Sequence, residues 1–253
     1  MQLKKLCIFF SCFLLISSLV PTHLLAKKIV NKANTLFEQG NYNNPQGLKR
    51  SLQLYQKALK ENPDSYELNW KIARSCREYA KYCKQNKLRG WKNICEKYGK
   101  KGMQFAKKAI NIRANKVQGH LFYSLCVVSY AEGVGIMSIY YQNLKKKTLE
   151  HLNKAYQIDR RYRNALPALA LGRFWQMLPL WYDDPDRALE LYQEADSLMP
   201  KDSDYRPTLQ VYMGKLLLEQ GINESRAKSM LKKAKNSEDP WLSKRAKKIL
   251  EKY

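Results

Sequence analysis

The sequence predicts an all-α protein, an α-solenoid of about five helical hairpins with long inter-helix inserts and a C-terminal capping helix. Glycine and proline are scarce, at 11 and 9 of 253 residues, and the common residues Lys, Leu, Ala, Gln and Glu favour helices. One helical pattern also occurs five times along the chain. The amphipathic segment after Asp239-Pro240, 241–253, suits the polar-faced cap that a terminal repeat needs.

The repeated pattern is clearest when the five segments are aligned on a shared alanine. A small residue lies seven positions before each alanine, and a bulky residue lies three positions before it in four of the five segments. These offsets fall on one helix face, where the small residue lets a neighbouring helix approach closely. The alanines are Ala58, Ala109, Ala155, Ala195 and Ala234.

A partner helix precedes each of these segments and carries its own large-small-x-x-large pattern. Examples are Ile72-Ala73 with Cys76 and Leu171-Gly172 with Trp175. The paired pattern resembles the tetratricopeptide repeat (TPR). The alanines lie 51, 46, 40 and 39 residues apart, whereas the plain TPR has about 34. The extra residues are expected mainly between the two helices of each pair, at 43–49, 84–101, 132–147 and 178–183.

The first 26 residues have the composition of a secretory signal peptide. Met1–Lys5 carries two lysines, Leu6–Val20 is an uncharged run of 15 residues, and a candidate cleavage site follows Ala26. The predicted organisation is therefore a signal peptide at 1–26 and a helical-repeat domain at 27–253, exported to the periplasm or cell envelope. An uncleaved anchor and lipoprotein processing at Cys12 are the alternatives.

The formal net charge of +24 bears on partners rather than on fold. For an exported chain it favours an acidic protein, an anionic membrane surface or an acidic envelope polymer, and nucleic acid is not expected. The alternative is a solvated lysine surface with no specific counterpart. A homo-oligomer is also compatible with the sequence.

The sequence predicts neither an enzyme nor a cofactor or metal site. His120 and His151 belong to no metal-ligand spacing, His151 is expected at a helix surface, and no Gly-x-Ser-x-Gly or phosphate-binding loop occurs. Gly133 and Gly135 are interpreted as allowing a bend or a close helix contact. Cys83 with Cys95 could form a disulfide. The favoured interpretation of the cysteines is as small buried residues.

A more specific resemblance covers roughly 97–253. The long glycine-containing segment His120–Tyr141 is followed later by Leu171-Gly172-Arg173-Phe174-Trp175 and a Leu-Pro step. This order is similar to exported bacterial TPR proteins of the TRAP-transporter T-component type. The resemblance implies an envelope protein whose partner is a transporter substrate-binding subunit. The glycine-rich loop common after the Leu-Pro in that family is absent here.

The candidate binding residues are aromatic side chains in and beside the inserts. Trp181 and Tyr182 lie outside the repeat pattern, and large aromatic residues gain most from leaving water at an interface. Packing between hairpins is the alternative role for this pair. The whole set is Trp181, Tyr182, Phe174, Tyr140 and Tyr141. Two functions remain open, a scaffold for a protein partner and a carrier of an apolar or anionic small ligand or lipid.

Overall fold

The computed structural model describes residues 22–40, 44–178 and 183–253, and in these ranges it contains twelve helices and no strand. Consecutive helices pack as hairpins, and the last helix packs on the fifth hairpin. The helices are α1 (Thr22–Glu38), α2 (Pro45–Glu61), α3 (Tyr66–Gln85), α4 (Trp91–Ile112), α5 (Val117–Val134), α6 (Ile136–Tyr141), α7 (Leu144–Ile158), α8 (Tyr162–Met177), α9 (Pro185–Leu198), α10 (Arg206–Glu219), α11 (Glu224–Lys235) and α12 (Pro240–Leu250).

Five hairpins and a cap confirm the predicted architecture. The pairs are α1/α2, α3/α4, α5/α7, α8/α9 and α10/α11, with α6 as a short helix inside the third connection. All five aligned alanines are buried, with at most 1% of their surface exposed. The small residues of the repeat also allow the paired helices to approach closely, as predicted. A Cβ atom on Gly172 would lie 2.6 Å from Cε1 of Tyr192, a fully buried side chain on α9.

The predicted positions of two inserts were wrong, because the extra residues lengthen helices. The second hairpin has helices of 20 and 22 residues joined only by 86–90. Its second helix gains a buried stripe at Cys95, Gly99 and Gly102, which continues into the repeat positions at helical spacing. In the first hairpin, α2 starts at Pro45, where Asn44 caps the helix by accepting a hydrogen bond from the Gly47 N–H.

The glycines of the third hairpin act as the sequence predicted. Gly133 lies where α5 meets α4, and a Cβ atom there would approach the Glu96 backbone nitrogen to 2.5 Å. Gly135 follows the last turn of α5 with a φ of 91°, a conformation that favours glycine. These two residues let α5 and α4 make close contact and then let the chain leave α5 for α6.

The core consists of three clusters arranged along the chain. The first joins α1, α2 and α3, the second joins α3, α4 and α5 with Ile139 and Leu144, and the third extends from α5 to α12. Cys76, Cys83, Cys95 and Cys126 are buried with free thiols, in agreement with the favoured interpretation as small buried residues. In the described ranges, no helix is both long enough and apolar enough to span a bilayer.

Candidate functional site, the inner groove

The first helix of every hairpin, together with α12, borders a continuous concave groove of about 1110 Å³. We call this the inner groove. Its lining mixes apolar side chains such as Phe122, Leu125 and Phe174 with charged side chains from α3, α8 and α12. The arrangement offers an elongated surface rather than an enclosed cavity. A bound molecule can therefore make both polar and apolar contacts along the length of the groove.

One position of the repeat contributes three of the basic side chains that line the groove. The residue directly after the small residue of each large-small pair lines the groove in hairpins two to five. Three of these four residues are basic, namely Arg74, Arg173 and Lys215, and the fourth is Leu125. Since helix residues three, four and seven positions apart share a face, Arg77 and Lys81 line the groove beside Arg74.

A cluster of charges occupies the N-terminal half of the groove. We define the α3 cluster as Arg77, Glu78 and Lys81 of α3 together with Arg163 of α8, all of which line the groove. The Nε and Nη1 atoms of Arg77 are buried and have no hydrogen-bond partner among the described residues. Nζ of Lys81 lies 3.9 Å from Oε2 of Glu78. The one carboxylate of this cluster therefore faces three cations.

The electrostatics of Glu78 reflect those cations. Burial alone would raise the pKa of this carboxyl group, but Arg77, Lys81 and Arg163 outweigh it and hold the pKa below the ordinary value. Glu78 is consequently ionised at neutral pH. The neighbouring Arg74 pairs with Glu38 at 3.6 Å and stacks over Phe37 at 3.7 Å, and its Nε atom is buried without a hydrogen-bond partner among the described residues.

Arg163 is positioned by an unusual turn at the start of α8. Arg163, Asn164 and Ala165 have φ values of 46°, 60° and 63°, in the left-handed region that non-glycine residues avoid. The α9–α10 connection holds this turn, since Asn164 Nδ2 donates to Ser203 Oγ at 3.0 Å and Arg163 Nε donates to Tyr205 Oη at 3.2 Å. Such strained conformations concentrate at functional sites.

A second basic region lies in the C-terminal half of the groove. The guanidinium carbon of Arg173 lies 3.3 Å from the centroid of the Tyr212 ring, and that of Arg245 lies 5.3 Å from the same centroid. Nε of Arg245 is buried without a hydrogen-bond partner in the described part of the chain. Two guanidinium groups are thus held together on one aromatic ring by cation–π contacts.

The predicted aromatic residues are distributed unevenly. Phe174 lines the inner groove and stacks edge-on against Trp175, with ring centroids 5.5 Å apart. Tyr141 ends α6 with 85% of its surface exposed. Trp181, Tyr182 and the Tyr140 side chain lie outside the described residues, as does most of the predicted signal peptide at 1–26. The predicted cut after Ala26 falls within α1.

His120 and His151 form a contact that the sequence did not predict. Their Nδ1 atoms are 2.9 Å apart, and His120 Nε2–H donates to the Ala114 carbonyl oxygen at 2.8 Å. Nδ1 of neutral His120 is therefore an acceptor, and His151 Nδ1–H donates to it. His151 is half-buried against the Tyr123 ring, so its predicted place at a helix surface was wrong.

Burial is the main cause of the titration behaviour of this histidine pair. Desolvation lowers the pKa of His120 below its usual value. Desolvation, with smaller effects from His120 and Lys147, lowers the pKa of His151 to about 4. In the described ranges, no group of three or more metal-ligating side chains accompanies the two rings. The pair packs α5 against α7 in its neutral form.

The fold resembles solved structures of helical-repeat proteins. The TPR protein TTC0263 of Thermus thermophilus superimposes with a TM-score of 0.61 at 20% identity, covering 89% of this chain and 98% of that chain. PilF of Pseudomonas aeruginosa gives a TM-score of 0.55 at 15% identity, covering 90% and 86%. A search of curated protein sequences gave no match.

Fold and groove together define a TPR-like helical-repeat protein. The chain belongs to the family described as regulator of microtubule dynamics protein 1-3, whose sequence model matches residues 29–175. The matched region extends from α1 into α8, and it includes every residue of the α3 cluster and the histidine pair.

Proposed function

We propose that this chain is an exported, non-enzymatic scaffold that holds a protein partner in the inner groove. The observation that carries the proposal is a long concave groove whose lining combines apolar side chains with arginines. Concave surfaces of this length that combine apolar and charged side chains suit an extended segment of a partner protein. The net charge of +24 favours a partner with an acidic surface.

More specifically, we propose that the partner is a protein of the cell envelope. The first candidate is the substrate-binding subunit of a TRAP-type transporter. Its support is the resemblance of 97–253 to T-component proteins, together with the composition of 1–26. The name of the chain's family supports a different partner, the microtubule. Export and microtubule binding exclude each other, so the location of the chain decides between them.

The location test is a fusion of residues 1–40 to a reporter that is active only outside the cytosol. We expect activity, because a basic start and a short apolar run direct export. The matched control replaces Leu14 and Leu15 in the apolar run by arginine, and this change should abolish the activity. A wild-type fusion that stays in the cytosol would remove the envelope partners and leave microtubules and nucleic acid as candidates.

Partner capture tests the groove itself. Immobilised protein is exposed to envelope extract, and we expect a captured protein to depend on Leu125 and Phe174, which line the groove. The double replacement Leu125→Ala with Phe174→Ala should lower capture about tenfold, since apolar groove residues provide much of the contact energy. The control is Ile112→Ala, at an exposed position on α4 that does not line the groove.

Equal capture by the wild type and both variants would place the binding surface elsewhere, with the Trp181 and Tyr182 segment as the next candidate. The second candidate function, a carrier of a small apolar or anionic ligand, rests on the size of the groove and on its apolar lining. Mass spectrometry of the purified protein under native conditions distinguishes the two functions. A carrier retains a small molecule when no partner protein is present, and a protein scaffold does not.

A further inference from the structure

We propose that the chain docks on an anionic phospholipid surface through one edge of its second and third hairpins. This edge consists of 86–92, which links α3 to the first turn of α4, and of 135–147, which links α5 to the first turn of α7. We call these two segments the docking edge. Docking of this kind places the scaffold on a membrane, whereas the proposed function concerns what the inner groove holds.

The two segments of the docking edge are neighbours in space. The end of α5 packs against the start of α4, since a Cβ atom on Gly133 would lie only 2.6 Å from the Lys92 carbonyl oxygen. An ion pair between Lys84 of α3 and Glu132 of α5 joins the same two hairpins at this end. The chain leaves α5 directly after these contacts, at Gly135. Both connections therefore emerge side by side and form one surface.

Large apolar side chains are exposed on the docking edge. Nine such residues are exposed in the described part of the chain, and four of them lie in these two short segments. Their exposed fraction rises from 38% at Leu88 and 41% at Ile136 to 54% at Met137 and 85% at Tyr141. Grouped apolar residues on a surface mark a site of contact with a protein or a membrane. Leu88, Met137 and Tyr141 do not line the inner groove, so the groove does not account for their exposure.

Positive charge accompanies these apolar side chains. Each segment of the docking edge carries three basic residues and no acidic residue. Cations close to exposed apolar groups are typical of proteins that bind an anionic membrane surface. Five of the six basic residues are exposed, namely Lys87, Arg89, Lys92, Lys146 and Lys147.

Three lysines of the docking edge occupy an electrostatically unfavourable place. Lys145, Lys146 and Lys147 belong to the first turn of α7, which contains no acidic residue. The N-terminal end of a helix carries a partial positive charge, so cations there are repelled by it. An anionic surface outside the protein would offset this repulsion. The position of the lysines therefore favours an external anionic partner.

The mixture of side chains favours a phospholipid surface over nucleic acid. Single-stranded nucleic acid is bound by cations together with aromatic rings on which bases stack, whereas three of the four exposed apolar side chains here are not aromatic. At a bilayer, lysine and arginine attract anionic headgroups, and apolar side chains enter the boundary of the acyl chains. The tyrosine suits the headgroup level, because its ring is apolar and its hydroxyl group is polar. Binding is expected to depend on both the charge and the apolar residues.

The test is co-sedimentation of the full chain with vesicles of equal parts phosphatidylcholine and phosphatidylglycerol, in about 150 mM salt. Every protein compared carries Leu14→Arg with Leu15→Arg, so that the apolar run at 6–20 does not itself insert into the vesicles. We expect binding about tenfold stronger than to vesicles of phosphatidylcholine alone, since each basic residue near an anionic surface adds to the attraction.

Two double variants remove the charge and the apolar groups of the docking edge separately. Arg89→Gln with Lys146→Gln removes one exposed cation from each segment and should weaken vesicle binding about tenfold. Met137→Ser with Tyr141→Ser removes the two most exposed apolar side chains of the edge and should weaken binding by a similar factor.

The charge-matched control is Lys232→Gln with Lys233→Gln, at exposed positions on α11. It should change vesicle binding less than about twofold, because attraction to the surface falls off within a Debye length. Thermal melting should show that every variant is folded.

A fluorescence measurement locates the contact directly. Tyr141→Trp introduces a tryptophan on the docking edge, and brominated phospholipid should quench its additional emission. Ile112→Trp introduces the same side chain at an exposed position at the end of α4, outside the docking edge, and its additional emission should not be quenched.

Several results would overturn the proposal. Equal binding to anionic and neutral vesicles is one, and an equal loss in the charge variants of the docking edge and of α11 is another. A third is unchanged vesicle binding by Met137→Ser with Tyr141→Ser. If that variant instead loses a protein captured from envelope extract, the docking edge is a protein interface and the lipid proposal fails.

The variant Leu125→Ala with Phe174→Ala separates this proposal from the proposed function. It should lose the captured partner and keep full vesicle binding, because its replaced side chains line the inner groove. Loss of vesicle binding in this variant would move the lipid contact to the groove and overturn the docking edge. Loss of vesicle binding only in the docking-edge variants, with partner capture retained, is the expected result.

Discussion

Replacement of Gly172 by leucine is expected to lower the free energy of unfolding by about 1–3 kcal/mol, because it overpacks the fourth hairpin. A Cβ atom at this position would lie 2.6 and 2.7 Å from two carbons of the Tyr192 ring and 3.2 Å from the Ala188 carbonyl oxygen. Tyr192 is fully buried, and its hydroxyl donates to Gln176 Oε1 at 2.7 Å, so the ring has little freedom to move away. Denaturant unfolding gives the measurement.

The matched control for this prediction is Gln193→Leu, which introduces the same side chain at an exposed position of α9. It should change stability by less than about 0.5 kcal/mol. Ala195→Leu, at a fully buried position of the same helix, should behave like the Gly172 variant. Midpoints equal to wild type in both buried variants would mean that the α8/α9 interface is assigned wrongly.

Acidification is expected to destabilise the third hairpin through the histidine pair. An unfolded histidine titrates near 6.5, whereas His151 in the folded protein has a pKa lowered to about 4. The unfolded state therefore binds more protons between these values. The contribution is fully present above pH 6.5 and is lost as the pH falls towards 4. Because the side chain is partly exposed, the expected loss is about 1–2 kcal/mol.

The measurement is the stability difference between the wild type and His151→Phe at pH 7.5 and at pH 4.5. The phenylalanine ring retains contact with Tyr123 but cannot titrate, and it leaves His120 Nδ1 without its donor. The variant should be less stable at pH 7.5 and should lose less stability on acidification. Other groups that face the pair, including Lys147 and Lys154, are common to both proteins. Parallel pH profiles would contradict the prediction.

The fold was predictable because small and large residues repeat at helical spacing. Burial of all five aligned alanines agrees with the pattern of small and large residues in the sequence. The inserts were misplaced because spacing between repeats does not distinguish a longer loop from a longer helix. The buried stripe at Cys95, Gly99 and Gly102 continues the helical period and could have revealed the difference.

The inner groove was less accessible to sequence reasoning, which concentrated on aromatic residues in the inserts. A usable signal existed in the position after each small residue, occupied by Arg74, Arg173 and Lys215. The contribution of Arg163 could not be predicted, because it depends on three left-handed residues that no local motif encodes. The histidine contact was also hidden, since it joins residues 31 positions apart on different helices.

The three separate core clusters determine which parts of the chain can unfold locally. Each cluster draws on neighbouring helices, so the terminal hairpins can unfold locally while the centre stays folded, and their amide hydrogens should exchange fastest. The inner groove is lined by residues from helices that contribute to all three clusters. A segment bound along it would tie together hairpins that share no core, and the chain would then unfold in fewer and larger cooperative units.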